Sequence, residues 1–137
     1  MWWVYALLSA LFAALTAIFA KVGIKGVDTD LATAIRAVVI LILAWGIAFF
    51  RGSISTISTL TKQNVLFLCL SGVATGLSWI FYFKALQLGK VSQVAPVDKM
   101  SVAIAIILAV VFLGEPLTMK AAIGALLIIA GTFVLIF

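Results

Sequence analysis

The chain has 137 residues, of which 66% are hydrophobic and 9% are charged, and its formal net charge is +5. A soluble domain carries roughly a quarter charged residues, so this composition excludes a water-soluble globular fold and indicates a membrane protein. The basic residues are scattered singly between apolar runs, which argues against a nucleic-acid partner and favours anchoring at the membrane interface.

Five apolar runs have the length of a membrane span. A span needs about 20 residues, and a backbone in hydrocarbon must satisfy its own hydrogen bonds, so each run is predicted to be a helix. No Lys or Arg precedes the first run, so we expect a span there rather than a cleaved signal peptide. The predicted spans cover residues 2–20, 31–50, 65–88, 92–113 and 117–137. The sequence thus predicts a single all-α domain over residues 1–137, an integral membrane bundle of five transmembrane helices.

The longest connection between spans leaves two interpretations open. Ile54, Ile57 and Leu60 recur at every third position among Ser and Thr residues, as in a short interfacial helix. The same composition fits a plain polar loop. The remaining connections are short and contain Gly or charged residues, at residues 21–30, 89–91 and 114–116.

Small residues recur within the predicted spans. Gly72 and Gly76 lie four positions apart in the third span, and Gly124 and Gly131 lie two turns apart in the fifth. Lipid tails are as apolar as the helices, so membrane helices associate through close contacts of small residues. We therefore expect these glycines to bring helices together in a compact bundle.

Four ionisable residues fall within the spans or at their ends: Arg36, Lys84, Asp98 and Lys99. Because consecutive spans run in opposite directions, all four belong to one layer near the membrane side opposite the amino terminus. Arg36 and Asp98 follow the starts of their spans by five and six residues, which places both roughly 8–10 Å below that surface at about 1.5 Å per residue. Charges at such depth are rare and usually face the bundle interior or a water-filled path.

Asp98 is the most informative member of this layer, because a short carboxylate cannot reach the interface and needs a partner. Arg36, Lys84 and Lys99 are the candidate partners, and Lys84 is the nearest in the hairpin of the third and fourth spans. Two interpretations stay open: a structural salt bridge with basic side chains that extend to the interface, or a substrate and coupling site. Three basic residues and one acidic residue sum to +2, which favours an anionic or carboxylate-bearing ligand.

Pro96 and three aromatic residues accompany these charges in the sequence. Pro96 interrupts the hydrogen-bond ladder one turn before Asp98, as in transporter binding sites, although Pro near a helix start is also tolerated as a simple kink. Trp79, Tyr82 and Phe83 lie upstream on the third span. They are candidates to line a substrate path, but packing or interfacial roles are favoured.

The sequence lacks the residues on which enzymes and metal sites depend. It has no His, and its one Cys, Cys69, lies in an apolar run, where Cys acts as a small hydrophobic residue. We find no nucleophile–base set, no metal-ligand cluster and no phosphate-binding loop. We therefore expect a protein that is not an enzyme, with no cofactor and no metal.

Short motifs in the second half of the chain resemble those of a known family. They are Phe-Tyr-Phe-Lys-Ala-Leu-Gln-Leu-Gly at 81–89, Ala-Pro-Val-Asp-Lys at 95–99 and Leu-Gly-Glu-Pro-Leu-Thr at 113–118, followed by Gly124 and Gly131. Together they resemble the EamA domain, the repeat unit of the drug/metabolite transporter superfamily. The resemblance covers essentially the whole chain as one five-helix repeat, and the Asp-Lys pair after Pro is similar to the short, single-repeat branch of bacteria and archaea.

This resemblance implies both a function and an assembly. Family members with two repeats have ten helices, and their inverted repeats enclose a cavity. A single repeat implies a homodimer in which two copies supply both halves. We therefore expect a multi-pass protein of the cell membrane that exports small metabolites or drugs. Its expected partners are the lipid bilayer, a second copy of itself and a small-molecule substrate.

Positive charge is nearly balanced between the two sides of the predicted bundle. The near side carries Arg51, Lys62 and Lys120, and the far side carries Lys21, Lys25, Lys84 and Lys90. The positive-inside rule therefore barely favours one orientation, as expected for chains that insert both ways and pair antiparallel. An antiparallel homodimer with dual topology is favoured, and a parallel dimer is the alternative.

Two other functions compete with this one. A small multidrug exporter resembles a four-helix dimer with a Glu in its first helix, whereas the first span here has no acidic residue and a fifth span is present. A non-transporting scaffold or accessory subunit would need only packing residues, and Asp98 beside Pro96 argues against it. Substrate flux in reconstituted vesicles distinguishes these possibilities.

Overall fold

The computed structural model describes residues 1–137 and is all-helical, with no strands. Five helical segments are long and apolar enough to cross a membrane, which confirms the predicted fold class. The fourth of these segments consists of two shorter helices, α4 and α5. The helices are α1 Trp2–Gly23, α2 Thr29–Phe50, α3 Lys62–Leu88, α4 Val91–Lys99, α5 Ser101–Leu113 and α6 Met119–Ile136.

Polar caps move the helix starts away from the first apolar residue of each run. α2 begins two residues before the predicted Leu31, because the Asp28 carboxylate accepts from the backbone N–H groups of Asp30 and Leu31 at 3.0 and 3.1 Å. α6 begins two residues later than predicted, at Met119, where the Thr118 hydroxyl accepts from the N–H of Ala121 at 3.2 Å. An N-cap oxygen satisfies a donor that has no partner inside its own helix.

The connection between α2 and α3 forms a 3₁₀ helix, Ser53–Thr59, rather than an irregular loop. Gly52 precedes it with φ +69°, in the left-handed region that glycine adopts readily. Hydroxyl groups within the segment donate to backbone carbonyls three residues earlier, as Thr56 does to Ser53 and Thr59 to Thr56, both at 2.6 Å. These local hydrogen bonds stabilise a tight turn, and none of them involves another helix.

The fourth span was predicted as one helix, and the structure divides it at Met100. The N–H of Met100 donates to the carbonyl of Val97 at 3.0 Å, one residue short of the α-helical partner, Pro96. The Pro96 carbonyl instead receives the Thr132 hydroxyl from α6 at 3.1 Å. Pro96 lacks an N–H and its ring crowds the carbonyl four residues earlier, so the ladder is also weakened on the amino-terminal side of this break. Thr132 supplies the missing donor at this break.

The chain divides into two compact units, Ala20–Gln87 and Met1–Phe19 with Leu88–Phe137. In the first unit the Lys21 ammonium donates to the carbonyl of Leu86, and the Gln87 amide donates to the carbonyl of Val27 at 3.0 Å. The end of α3 is thereby joined to the last turn of α1 and to the loop that leads into α2. In the second unit α6 packs against both α4 and α5.

Most apolar side chains of the spans lie on the outside of the chain. No span has more than 11% of its most apolar stretch buried, and large residues such as Phe12, Ile42 and Leu126 are exposed. An exposed apolar surface of this extent requires a lipid bilayer as its environment. The protein is therefore a membrane protein.

The four glycines predicted to bring helices together lie in open space. A Cβ atom added at Gly72, Gly76, Gly124 or Gly131 would meet no neighbouring atom within 4 Å. The structure therefore offers room for a larger residue at each position. Their role in helix packing stays a prediction.

We expect Asp28→Ala to lower the free energy of unfolding by about 1 kcal/mol, because two N–H groups of α2 lose their acceptor. Asp28→Asn keeps a side-chain oxygen and should retain most of the stability. Unfolding of the purified chain in mixed micelles, titrated with a denaturing detergent, measures both changes. Equal stability of Asp28→Ala and the unaltered chain would contradict the capping role.

Thr132→Val removes the donor that serves the Pro96 carbonyl while it keeps the shape of the side chain. We expect a loss of about 0.5–1.5 kcal/mol in the same unfolding titration, the range for one hydrogen bond in a protein or a membrane. Thr75→Val is the matched control, because the Thr75 hydroxyl donates at 2.9 Å to Ser71 of its own helix. Equal losses at both positions would show that the contact with Pro96 contributes nothing specific.

Candidate functional site

Arg36 of α2 packs against two aromatic rings of α3. Its Cζ lies 3.9 Å from the ring centroid of Phe83 and 5.9 Å from that of Trp79. Trp79 and Phe83 are four residues apart, so they share one face of α3, and the guanidinium lies along that face. Each distance is within the range of a cation–π interaction, which contributes about 0.5–2 kcal/mol depending on solvent access.

The guanidinium of Arg36 keeps one donor unused. Its Nη1 atom is buried and has no hydrogen-bond partner. Phe83, which covers the guanidinium, is 1% exposed, and the ring of Tyr82 meets that of Phe83 edge to face at 5.6 Å. Attraction to a ring does not satisfy an N–H group, and a buried donor without an acceptor costs about 1–3 kcal/mol, more when the group is charged. The arrangement is therefore suited to an added acceptor.

A second group of predicted residues lies in the unit that contains α4, α5 and α6. The Asp98 carboxylate pairs with the Lys99 ammonium at 3.2 Å, and the two side chains are 35% and 57% exposed, respectively. An ion pair between adjacent residues of one helix cannot join two helices. Lys99 was one of three candidate partners for Asp98. A pair between Asp98 and Lys84, whose side chain is exposed, stays a prediction.

Pro96 belongs to the same group through its carbonyl. The buried Thr132 hydroxyl lies 3.1 Å from that carbonyl and 2.8 Å from the carbonyl of Ile128 on its own helix. One hydroxyl carries one proton, so the two acceptors share it. The break in the fourth span thus has a defined polar partner two residues before Asp98.

Within each unit the structure brings predicted residues together. In Ala20–Gln87, Arg36 contacts Trp79, and Tyr82 contacts the ring that covers Arg36. In the other unit Pro96 lies in the same short helix as Asp98 and Lys99. Whether these residues form one substrate site stays a prediction.

The sequence analysis missed the roles of two residues of the candidate site. Phe83 was named among the aromatic residues, but not as the ring beneath Arg36, although its position four residues after Trp79 was a usable signal. Thr132 was not singled out. Its only signal was a hydroxyl in an otherwise apolar span, and its partner Pro96 is 36 residues away in the sequence.

Comparison with known proteins gives the family. The model of the EamA-like transporter family matches residues 1–137. The chain is also 48% identical over 134 residues to a Sinorhizobium sp. protein named "Uncharacterized transporter in cobO 3'region", a match that covers 98% of this chain and 95% of that relative. No solved structure matches the chain significantly. The chain, with its five apolar helices, therefore belongs to the EamA-like transporter family.

Proposed function

We propose that this membrane transporter exports small metabolites or drugs across the cell membrane as a homodimer, whose two repeats form the central cavity. The observation that carries the proposal is the guanidinium of Arg36 inside a membrane span, with one buried donor unpaired. A charge in a span usually faces the protein interior or a water-filled path, and marks a substrate or ion pathway.

The proposed assembly rests on reading the five helices as one transporter repeat. Transport by alternating access needs two halves that move against each other around one site. The family model matches residues 1–137, which contain five apolar helices, and a match over 134 residues covers 95% of a relative that is named a transporter. A second copy of the chain would supply the other half. The near balance of positive charge on the two sides favours an antiparallel pair.

The roles within the site divide by chemistry. Arg36 and Lys84 are proposed to attract and hold the substrate, with Trp79 and Tyr82 beside the path. Asp98 and Lys99 form an ion pair next to the broken segment of the fourth span, a position from which they would couple substrate binding to movement of α4. Pro96 is proposed to keep that segment deformable, because its carbonyl is bonded by a side chain rather than by the helix.

Flux into vesicles tests the function. We expect vesicles containing the purified chain to take up at least one member of a panel of radiolabelled amino acids, sugars and nucleotides faster than empty vesicles. Asp98→Asn and Lys84→Gln should each lower that flux about tenfold or more, because each removes a charge from the proposed site. Lys25→Gln is the matched control, because it removes an exposed charge from the same side as Lys84, outside the proposed site.

Unaltered flux and stability in both Asp98→Asn and Lys84→Gln would contradict the proposed site. Absence of flux for the whole panel, with folded protein in the vesicles, would instead favour a scaffold or accessory subunit. The two results are separable, because the first requires measurable flux.

Reporters fused to the carboxyl terminus test the assembly. One reporter is active only in the cytoplasm and the other only outside it. We expect both to give signals, because the flanking charges barely favour one orientation. The double variant Lys62→Gln/Lys120→Gln removes positive charge from the near side. It should raise the cytoplasmic signal, since the far side and the carboxyl terminus then face inward. A signal from only one reporter in the unaltered chain would exclude dual topology and favour a parallel dimer.

A further inference from the structure

The geometry of the Arg36 guanidinium restricts what it can bind. The Phe83 ring contacts the guanidinium, with its centroid 3.9 Å from Cζ, and excludes an acceptor from that side. The N–H groups of arginine lie in the plane of the guanidinium, and Nη1 is the buried one without a partner. An acceptor must therefore approach edge-on. A carboxylate suits this approach, because its two oxygens match the arginine fork.

No acidic side chain of the two helices that form this site is placed to neutralise Arg36. α3 contains Lys62 and Lys84 and no acidic residue. Asp30, the acidic residue of α2, lies in the first turn, six positions and so about 9 Å along the axis from Arg36. Asp28 is engaged with backbone N–H groups at the start of α2. Arg36 therefore contributes a single uncompensated positive charge, which a single negative charge would balance.

The residues around the guanidinium indicate what kind of group should carry the carboxylate. Trp79 and Phe83 are aromatic, and the outer surface of both helices is apolar. A small inorganic anion would lose its hydration here and regain one cationic partner. An organic anion with an apolar body also loses hydration at its carboxylate, but its body gains contact with the rings.

We infer that Arg36 binds the carboxylate of a singly charged organic anion with an apolar body, held against Trp79 and Phe83. The inference rests on the proposed function and takes this anion to be the transported substrate. It goes further by assigning the substrate class and the residue that recognises it. Phe83 is a positioning residue in this arrangement, because its ring holds the guanidinium in place.

Benzoate is the probe for this site, since it is planar, aromatic and singly charged, and benzamide is its neutral counterpart. Binding is measured on the full chain in nanodiscs by thermal stabilisation and by Trp79 fluorescence, identified by subtracting the signal of Trp79→Phe. We expect benzoate to raise the unfolding temperature and to change the Trp79 signal. Benzamide and inorganic phosphate should do neither.

Arg36 variants give the decisive comparison. In Arg36→Gln the dissociation constant for benzoate should rise at least tenfold, because the charged donor is gone. Arg36→Lys keeps the charge without the fork and should bind with intermediate affinity. Arg51→Gln, at the end of the same helix, is the matched control and should bind normally. If Arg36→Gln does not fold, Arg36→Lys against Arg51→Gln decides the question.

Benzoate binding that is equal in Arg36→Lys and the unaltered chain, or equal binding of benzamide, would overturn the inference. Stabilisation by phosphate but not benzoate would also overturn it. Oleate in the nanodisc lipid distinguishes the source of the carboxylate. Arg36-dependent binding of oleate as well as benzoate supports the site and extends it to lipid acids, whereas binding of benzoate alone supports a water-soluble ligand.

Flux separates this inference from the proposed function. If the panel flux exists and benzoate inhibits it more weakly in Arg36→Lys than in the unaltered chain, both stand. If flux exists and benzoate neither binds nor inhibits, the inference fails and the transport function stands. If benzoate binds through Arg36 and neither radiolabelled benzoate nor any compound of the panel is transported, the site stands and the transport proposal fails.

Discussion

Hydrocarbon provides no hydrogen-bond partner, so every backbone N–H and C=O in the spans has to find one within the protein. This constraint decides the secondary structure, because a helix bonds its own backbone and an isolated strand does not. It also explains why Asp28 and Thr118 stand where two helices begin. At Met100 the ladder is interrupted, and there the Thr132 hydroxyl from another helix bonds the Pro96 carbonyl. The Pro96 carbonyl, at the irregular point of the fourth span, thus also has a hydrogen-bond partner within the protein.

Charged side chains in the spans also need stabilising partners within the protein, and the structure shows two kinds. Asp98 and Lys99 neutralise each other as immediate neighbours. Arg36 instead lies against the electron-rich faces of Phe83 and Trp79, an attraction that lowers the cost of the charge but leaves a donor without an acceptor. The net charge of +2 over the four residues of the predicted layer is therefore unevenly distributed. One pair is locally neutral, and the remaining positive charge belongs to Arg36 and Lys84.

The sequence predicted what depends on length and composition, and missed what depends on packing. All five spans were located, because each is a continuous apolar run of the length that a bilayer requires. Arg36 was located as a charge within a span, since a single Arg in an apolar run is conspicuous. Its contact with Phe83 was not predicted, because it depends on how α2 lies against α3. The division at Met100 was missed for a similar reason: Pro96 indicated a disturbance, but its position depends on Thr132 of α6.

The depth of Arg36 links the proposed substrate site to the proposed antiparallel pair. Arg36 is seven residues from the start of the 22-residue helix α2, so it lies about 10 Å along a helix about 33 Å long. In a parallel dimer both guanidinium groups would lie at the same depth, near one membrane surface. In an antiparallel dimer one would lie near each surface, about 12 Å apart along the membrane normal. Only the second arrangement gives an organic anion equivalent binding groups near both surfaces. In the proposed antiparallel pair, a single off-centre arginine would therefore serve alternating access from both sides.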